Sequence, residues 1–71
     1  MDKSTIGENA GIVWRTLHDN TFSWEELLRH TGLNPLELAC AVGWLAREDK
    51  IDFDIDEQHD RLFLHVNVYI G

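Results

Sequence analysis

Histidine, cysteine and aspartate are the side chains of this sequence that could support acid–base, nucleophilic or metal chemistry. The histidines are His18, His30, His59 and His65. No two of them are three or four residues apart, and none has metal-site spacing with Cys40. Cys40 follows Glu37 by about one helical turn and has no cationic neighbour in sequence, which favours a neutral thiol over a reactive thiolate. We therefore predict no catalytic residue, no metal site and no cofactor.

Three alternating aspartates, Asp52, Asp54 and Asp56, would point to one face of a strand. They lack the glycine and the spacing of a calcium-binding loop. The sequence also has no glycine-rich phosphate loop and no serine elbow. Since a chain of 71 residues has little room for a closed pocket, we expect no enzyme and no small-molecule substrate.

Length and composition predict one globular domain over residues 1–71, because 44% of the residues are hydrophobic. The single cysteine excludes an internal disulfide framework and suits a reducing cytosol. No apolar stretch approaches the roughly 20 residues of a membrane span, and the N-terminus does not resemble a signal peptide. We expect a cytoplasmic protein that does not contact membranes.

Helical periodicity and capping signals predict three helices. Apolar residues at positions 6, 10, 13, 14 and 17 share one face and predict a first helix over about 4–18. Thr21-Phe22 reads as a short strand, and Ser23 with Glu26 forms a capping box that opens a second helix ended by Gly32. Asn34, with Glu37 as the second member of a box-like pair, caps a third helix over about 35–48. The predicted core stripe of this helix is Leu38, Ala41, Val42 and Leu45.

Beyond Lys50 the hydrophobic period changes from that of a helix to that of a strand. Ile51, Phe53 and Ile55 alternate with aspartates, as in a half-buried strand, and residues 62–70 alternate in the same way. The two segments predict a β-hairpin whose second strand outlasts the first. We expect its end, 67–71, to be an unpaired edge that invites another chain.

Two segments carry a resemblance to a known family. The residues Ile6-Gly7-Glu8-Asn9-Ala10-Gly11 with Val13-Trp14, and Gly43-Trp44-Leu45-Ala46-Arg47-Glu48, resemble a small bacterial winged helix-turn-helix family of unknown function. The passage into the hairpin also looks like that of winged helices, with Asp49 in place of the usual glycine. The resemblance implies an α+β fold of three helices followed by a two-stranded wing, and it implies no activity and no functional residues.

The charge distribution argues against DNA as the partner. The formal net charge is −7, and residues 48–60 carry seven carboxylates and one lysine. DNA phosphates attract Lys and Arg and repel carboxylates. If the third helix and the wing did bind DNA, the candidate contacts would be Asn34, Arg47, Lys50 and Arg61. We keep a DNA-binding regulator as the alternative, and it would need one basic patch assembled from Lys3, Arg15, Arg29, Arg47 and Lys50.

The outward face of the third helix predicts a protein partner instead. With ideal helical steps this face comprises Leu36, Cys40, Gly43 and Arg47, with Trp44 on its flank. It is small and apolar, and Trp and Arg are common anchors at protein interfaces. We expect a protein partner. It is either a second copy of the chain, bound through this face or through the strand end near Tyr69, or a basic protein attracted to the acidic wing. Two simpler interpretations stay open: Trp44 folds over the second helix or the base of the wing, and the wing carboxylates form a solvated strand face.

Overall fold

The computed structural model describes residues 1–58 and 61–66, and for residues 61–63 it describes the backbone alone. The elements in chain order are α1 (Lys3–Leu17), β1 (Thr21–Ser23), α2 (Trp24–Thr31), α3 (Pro35–Arg47), β2 (Ile51–Asp56) and β3 (Arg61–Val66). This is the predicted α+β winged helix-turn-helix, in which β2 and β3 form the wing. Over the described ranges, no helix is long and apolar enough to cross a membrane.

Two capping boxes fix the helix-turn-helix, and both confirm the predictions. The hydroxyl of Ser23 accepts a hydrogen bond from the Glu26 N–H at 3.2 Å, and the Glu26 carboxylate accepts one from the Ser23 N–H at 3.0 Å. Asn34 and Glu37 form the same reciprocal pair at 2.8 and 3.1 Å. Gly32 ends α2 with a left-handed φ of 72°, which a glycine adopts without steric cost. These local bonds set the direction in which α3 leaves α2.

The turn from α3 into the wing is a Schellman motif. The N–H of Lys50 donates to the Leu45 carbonyl at 2.9 Å, and the N–H of Asp49 donates to the Ala46 carbonyl at 3.1 Å. Asp49 has a left-handed φ of 59°, so it occupies the position where glycine is usual. The turn therefore keeps its form although the glycine is replaced.

The sheet has three antiparallel strands in the order β1-β3-β2 within the described part of the chain. Phe22 of β1 and Phe53 of β2 both pair with Leu64 of β3, and Ile51 pairs with Val66. The predicted short strand at Thr21-Phe22 is thus three residues long, and it pairs with the wing through β3. The segment 67–71, where we expect an unpaired edge, lies outside the described residues.

The core lies between the three helices and the base of the wing. Each layer contributes a side chain with no exposed surface: Leu17 from α1, Leu27 from α2, Leu38 from α3 and Leu64 from β3. All four residues of the predicted α3 stripe are buried. Trp14 differs from the prediction, because its side chain lies exposed at the edge of the α1 stripe.

The prediction that one face of the first wing strand is buried is wrong for the outer half of β2. Ile51 is buried, but 42% of Phe53 and 72% of Ile55 are exposed. Exposure rises along β2 because the strand runs out from the end of α3, so its outer residues project beyond the helices. Alternation identified the apolar face correctly, but the helices do not cover all of it.

Candidate partner-binding face

The predicted face of α3 points outward. Leu36 is 66% exposed and Trp44 42% exposed, Gly43 and Arg47 are exposed, and Cys40 is half-buried. A shallow groove of about 530 Å³ brings together Cys40, Gly43, Trp44 and Arg47, and it also contacts Ile6 and Glu48. Leu36 is not part of that groove and stands toward the start of the helix. We call Leu36, Cys40, Gly43, Trp44 and Arg47 the α3 face.

Trp44 packs against α1. A Cβ atom placed on Gly7 would lie 3.9 Å from Cζ2 of the Trp44 ring, which is ordinary van der Waals contact. This contact is with α1, whereas the simpler interpretation placed the ring over α2 or the base of the wing. The ring covers Gly7 while leaving much of its own surface in water.

A second groove lies between α1 and α3 and has a volume of about 480 Å³. Its lining includes Trp14 and Trp44 together with Gly7 and Gly11. Trp44 lines both grooves and so separates them. Reasoning from the sequence missed the contribution of α1, although Gly7, Gly11 and Trp14 are spaced three and four residues apart and thus share one helical face.

The structure describes the side chains of three of the four candidate nucleic-acid contacts, Asn34, Arg47 and Lys50. The side-chain oxygen of Asn34 is used to cap α3. Arg47 lines the groove on one side of Trp44, and Lys50 lines the groove on the other. Arg61 pairs with Asp56 in the ladder, and its side chain lies outside what the structure describes.

Two of the wider set of cations lie far apart on α1. Lys3 and Arg15 stand near opposite ends of α1, about 18 Å apart along the helix axis. This separation exceeds the Debye length of about 8 Å at physiological ionic strength. Lys3 and Arg15 therefore do not form one compact basic cluster.

The wing presents carboxylates on one side of its described residues. Asp52 and Asp54 are exposed, and Asp52 pairs directly with His65 in the ladder. One oxygen of Asp54 lies 3.1 Å from Nε2 of His65, while Nδ1 of the same ring lies 3.1 Å from the Val66 carbonyl. The His65 ring is thereby held between the Asp54 carboxylate and the Val66 carbonyl. Within the described part of the chain, no cluster of His, Cys, Asp and Glu could hold a metal ion.

The fold and the capped helix pair define a winged helix-turn-helix protein. The chain belongs to the family described as "Winged helix-turn-helix domain (DUF2582)", whose model matches residues 1–64. It is similar to the uncharacterised protein MJ1608 of Methanocaldococcus jannaschii, with 45% identity over 49 residues that cover 65% of this chain and 70% of that protein.

A solved structure shares the fold. The solution NMR structure of protein BT2368 from Bacteroides thetaiotaomicron has a TM-score of 0.82 and 37% sequence identity to this chain. The match covers 94% of this chain and 80% of that one. This likeness agrees with the architecture of three helices and a small antiparallel sheet.

Proposed function

We propose that this protein is a non-enzymatic binding module of the cytoplasm, and that its α3 face binds another protein. One observation carries the proposal: Leu36 and Trp44 both hold large apolar surfaces in water on the same helix. Removing apolar surface from water contributes roughly 25 cal/mol per Å². Exposed anchors on a helix whose grooves are shallow suit contact with a protein surface better than enclosure of a small molecule.

A second copy of the chain is the partner that we propose first. Arg47 and Glu48 are adjacent, and both line the groove beside Trp44. In a two-fold dimer the same patch meets itself, so Arg47 of each copy can face Glu48 of the other. The net charge of −7 opposes self-association in general. Apart from Arg47, the α3 face carries no charged side chain, so contact through this face brings no carboxylate of its own against another.

Sedimentation equilibrium over a range of concentrations tests this proposal. Leu36→Ser removes an exposed anchor in the first turn of α3, where serine is tolerated, and should weaken dimerisation by about tenfold. Arg47→Glu and Glu48→Arg should each abolish the homodimer. Mixing these two charge-reversed variants should restore association, because each then supplies the charge that the other lost. Arg29→Glu on α2 is the matched control and should leave association unchanged.

A chain that remains monomeric at every concentration would overturn the second copy as partner. A dimer that is insensitive to Leu36→Ser and to both reversals would overturn the α3 face as its interface. Restoration in the mixture, with no effect of Arg29→Glu, would support both parts of the proposal.

DNA binding is the second candidate function, because the fold commonly places the second helix of its helix-turn-helix in the major groove. One observation favours it: Arg47 is exposed near the end of α3. The carboxylates of the wing oppose it, since each would repel backbone phosphates. We therefore place DNA binding second.

A further inference from the structure

We infer that the outer edge of β2 is a separate docking surface for an extended, cationic strand of another protein, in which Lys or Arg alternates with apolar residues. This surface lies on the wing and shares no residue with the α3 face. The inference therefore stands whether or not the α3 face forms a dimer.

The position of β2 in the sheet leaves one of its sides available. Among the described residues β2 pairs only with β3, so it is an edge strand. In an antiparallel strand, successive residues direct their N–H and C=O groups to opposite sides. Roughly half of the six residues of β2 therefore offer backbone groups to a further strand.

Exposed apolar side chains at this edge offer a packing surface in addition to the backbone groups. Phe53 is 42% and Ile55 72% exposed, and they share a strand face with the buried Ile51. They extend the core-facing side of the sheet beyond the reach of the helices. A strand added at the edge would place its own apolar side chains beside them, and such cross-strand pairs stabilise a sheet.

The aspartates select the charge of the added strand. Asp52 and Asp54 are exposed on the opposite face, two residues apart, which is about 7 Å along a strand. Asp54 also contacts His65, but that ring belongs to β3, on the inner side of β2. Cross-strand pairs of opposite charge are favourable, so Lys or Arg at every second position of the incoming strand matches this spacing.

The same pattern excludes a second β2 as the occupant. If two copies of β2 paired with each other, every aspartate would lie opposite either another aspartate or an apolar side chain. Like charges directly opposite one another destabilise a sheet, and an apolar neighbour gives a carboxylate no partner. Charge thus prevents edge-to-edge pairing of identical chains while favouring a cationic strand.

A peptide titration of the full ¹⁵N-labelled chain at low salt tests the inference. The probe is the blocked peptide Lys-Val-Lys-Ile-Lys-Val, and its control has the same residues with the three lysines grouped at one end. We expect the alternating peptide to shift the amide signals of residues 51–56 and to bind about tenfold more tightly than the grouped peptide. The grouped peptide keeps the charge but cannot place a cation at every second position.

Protein variants locate the contact. The double variant Asp52→Asn with Asp54→Asn should weaken binding of the alternating peptide by about fivefold. The matched control, Glu8→Gln with Glu25→Gln, removes the same charge from exposed sites on α1 and α2 and should change affinity little. Ile55→Thr keeps a β-branched residue and tests the apolar contribution without removing a core contact.

Three results would overturn the inference. The first is equal affinity for the alternating and grouped peptides, which would show attraction by charge without strand pairing. The second is the absence of shifts in residues 51–56 with the alternating peptide, including the case in which shifts appear on α3 alone. The third is a dimer of the unliganded chain whose interface maps to β2, which would make a second copy the occupant.

Discussion

Replacing Asp49 by glycine and by alanine should give proteins of different stability, with glycine the more stable. Asp49 is the left-handed residue of the Schellman motif that joins α3 to β2, with φ of 59°. Alanine in that conformation brings its Cβ too close to the next carbonyl oxygen. Glycine has no Cβ and avoids the contact. Both substitutions remove the carboxylate, so whatever the Asp49 side chain contributes cancels in the comparison.

The expected difference follows from two opposing terms. The left-handed conformation costs an L-residue roughly 1–2 kcal/mol. Glycine lowers the free energy of unfolding by about 0.4–1 kcal/mol relative to alanine, because it increases the conformational entropy of the unfolded chain. The Asp49→Gly variant should therefore exceed Asp49→Ala in free energy of unfolding by about 1 kcal/mol. In a chain of this size that corresponds to a Tm difference of about 4–8 °C.

Urea unfolding followed by circular dichroism measures this difference, and Ala39 provides a control of opposite sign. Ala39 is exposed within α3, where glycine should cost about 0.5–1 kcal/mol relative to alanine. The two positions should thus rank glycine and alanine in opposite orders. If Asp49→Ala were as stable as Asp49→Gly, the assignment of a left-handed turn residue at position 49 would be refuted.

Three further predictions concern single side chains. Asn9 is 7% exposed, and its side-chain nitrogen has no hydrogen-bond partner among the residues that the structure describes. Asn9→Leu should therefore raise the free energy of unfolding by about 1 kcal/mol in urea titrations, and a loss of stability would contradict this. Ser23→Ala should lower that free energy by about 1 kcal/mol, whereas Ser4→Ala at an exposed helical site should leave it nearly unchanged. The Thr5 N–H donates a hydrogen bond to the Asp2 carboxylate and lowers its pKa below the ordinary value of 3.8. This bond therefore stabilises the folded chain at pH values above the pKa of Asp2 in the unfolded chain, and the stabilisation is lost as pH falls through the pKa of Asp2 in the folded chain. An NMR-titrated pKa of 3.8 or more would contradict this.

The helices and their boundaries could be predicted from the sequence because their signals are local. Each capping box joins residues three positions apart, so Ser23 with Glu26 and Asn34 with Glu37 identify the helix starts without knowledge of the fold. The buried stripe of α3 is likewise encoded by its own period. These features do not depend on which element packs where.

The missed features depend on distances between elements. Alternation assigned Phe53 and Ile55 to the core side of the sheet, but only the three-dimensional arrangement shows that the helices end before they cover these residues. The packing of Trp44 on Gly7 depends on how closely α1 approaches α3, which no pattern within either helix specifies. The groove between Trp14 and Trp44 was missed for the same reason.

An amide-shift NMR titration with a short mixed-sequence DNA duplex at low salt tests the central claim, that this winged helix binds protein through α3 and not DNA. Low salt gives electrostatic binding its best opportunity. We predict no joint shift of α3 and the wing, because Lys3 and Arg15 lie far apart on α1 and the wing carries exposed carboxylates. A joint, saturable shift of α3 and β2 would contradict the account and identify the protein as a DNA-binding regulator.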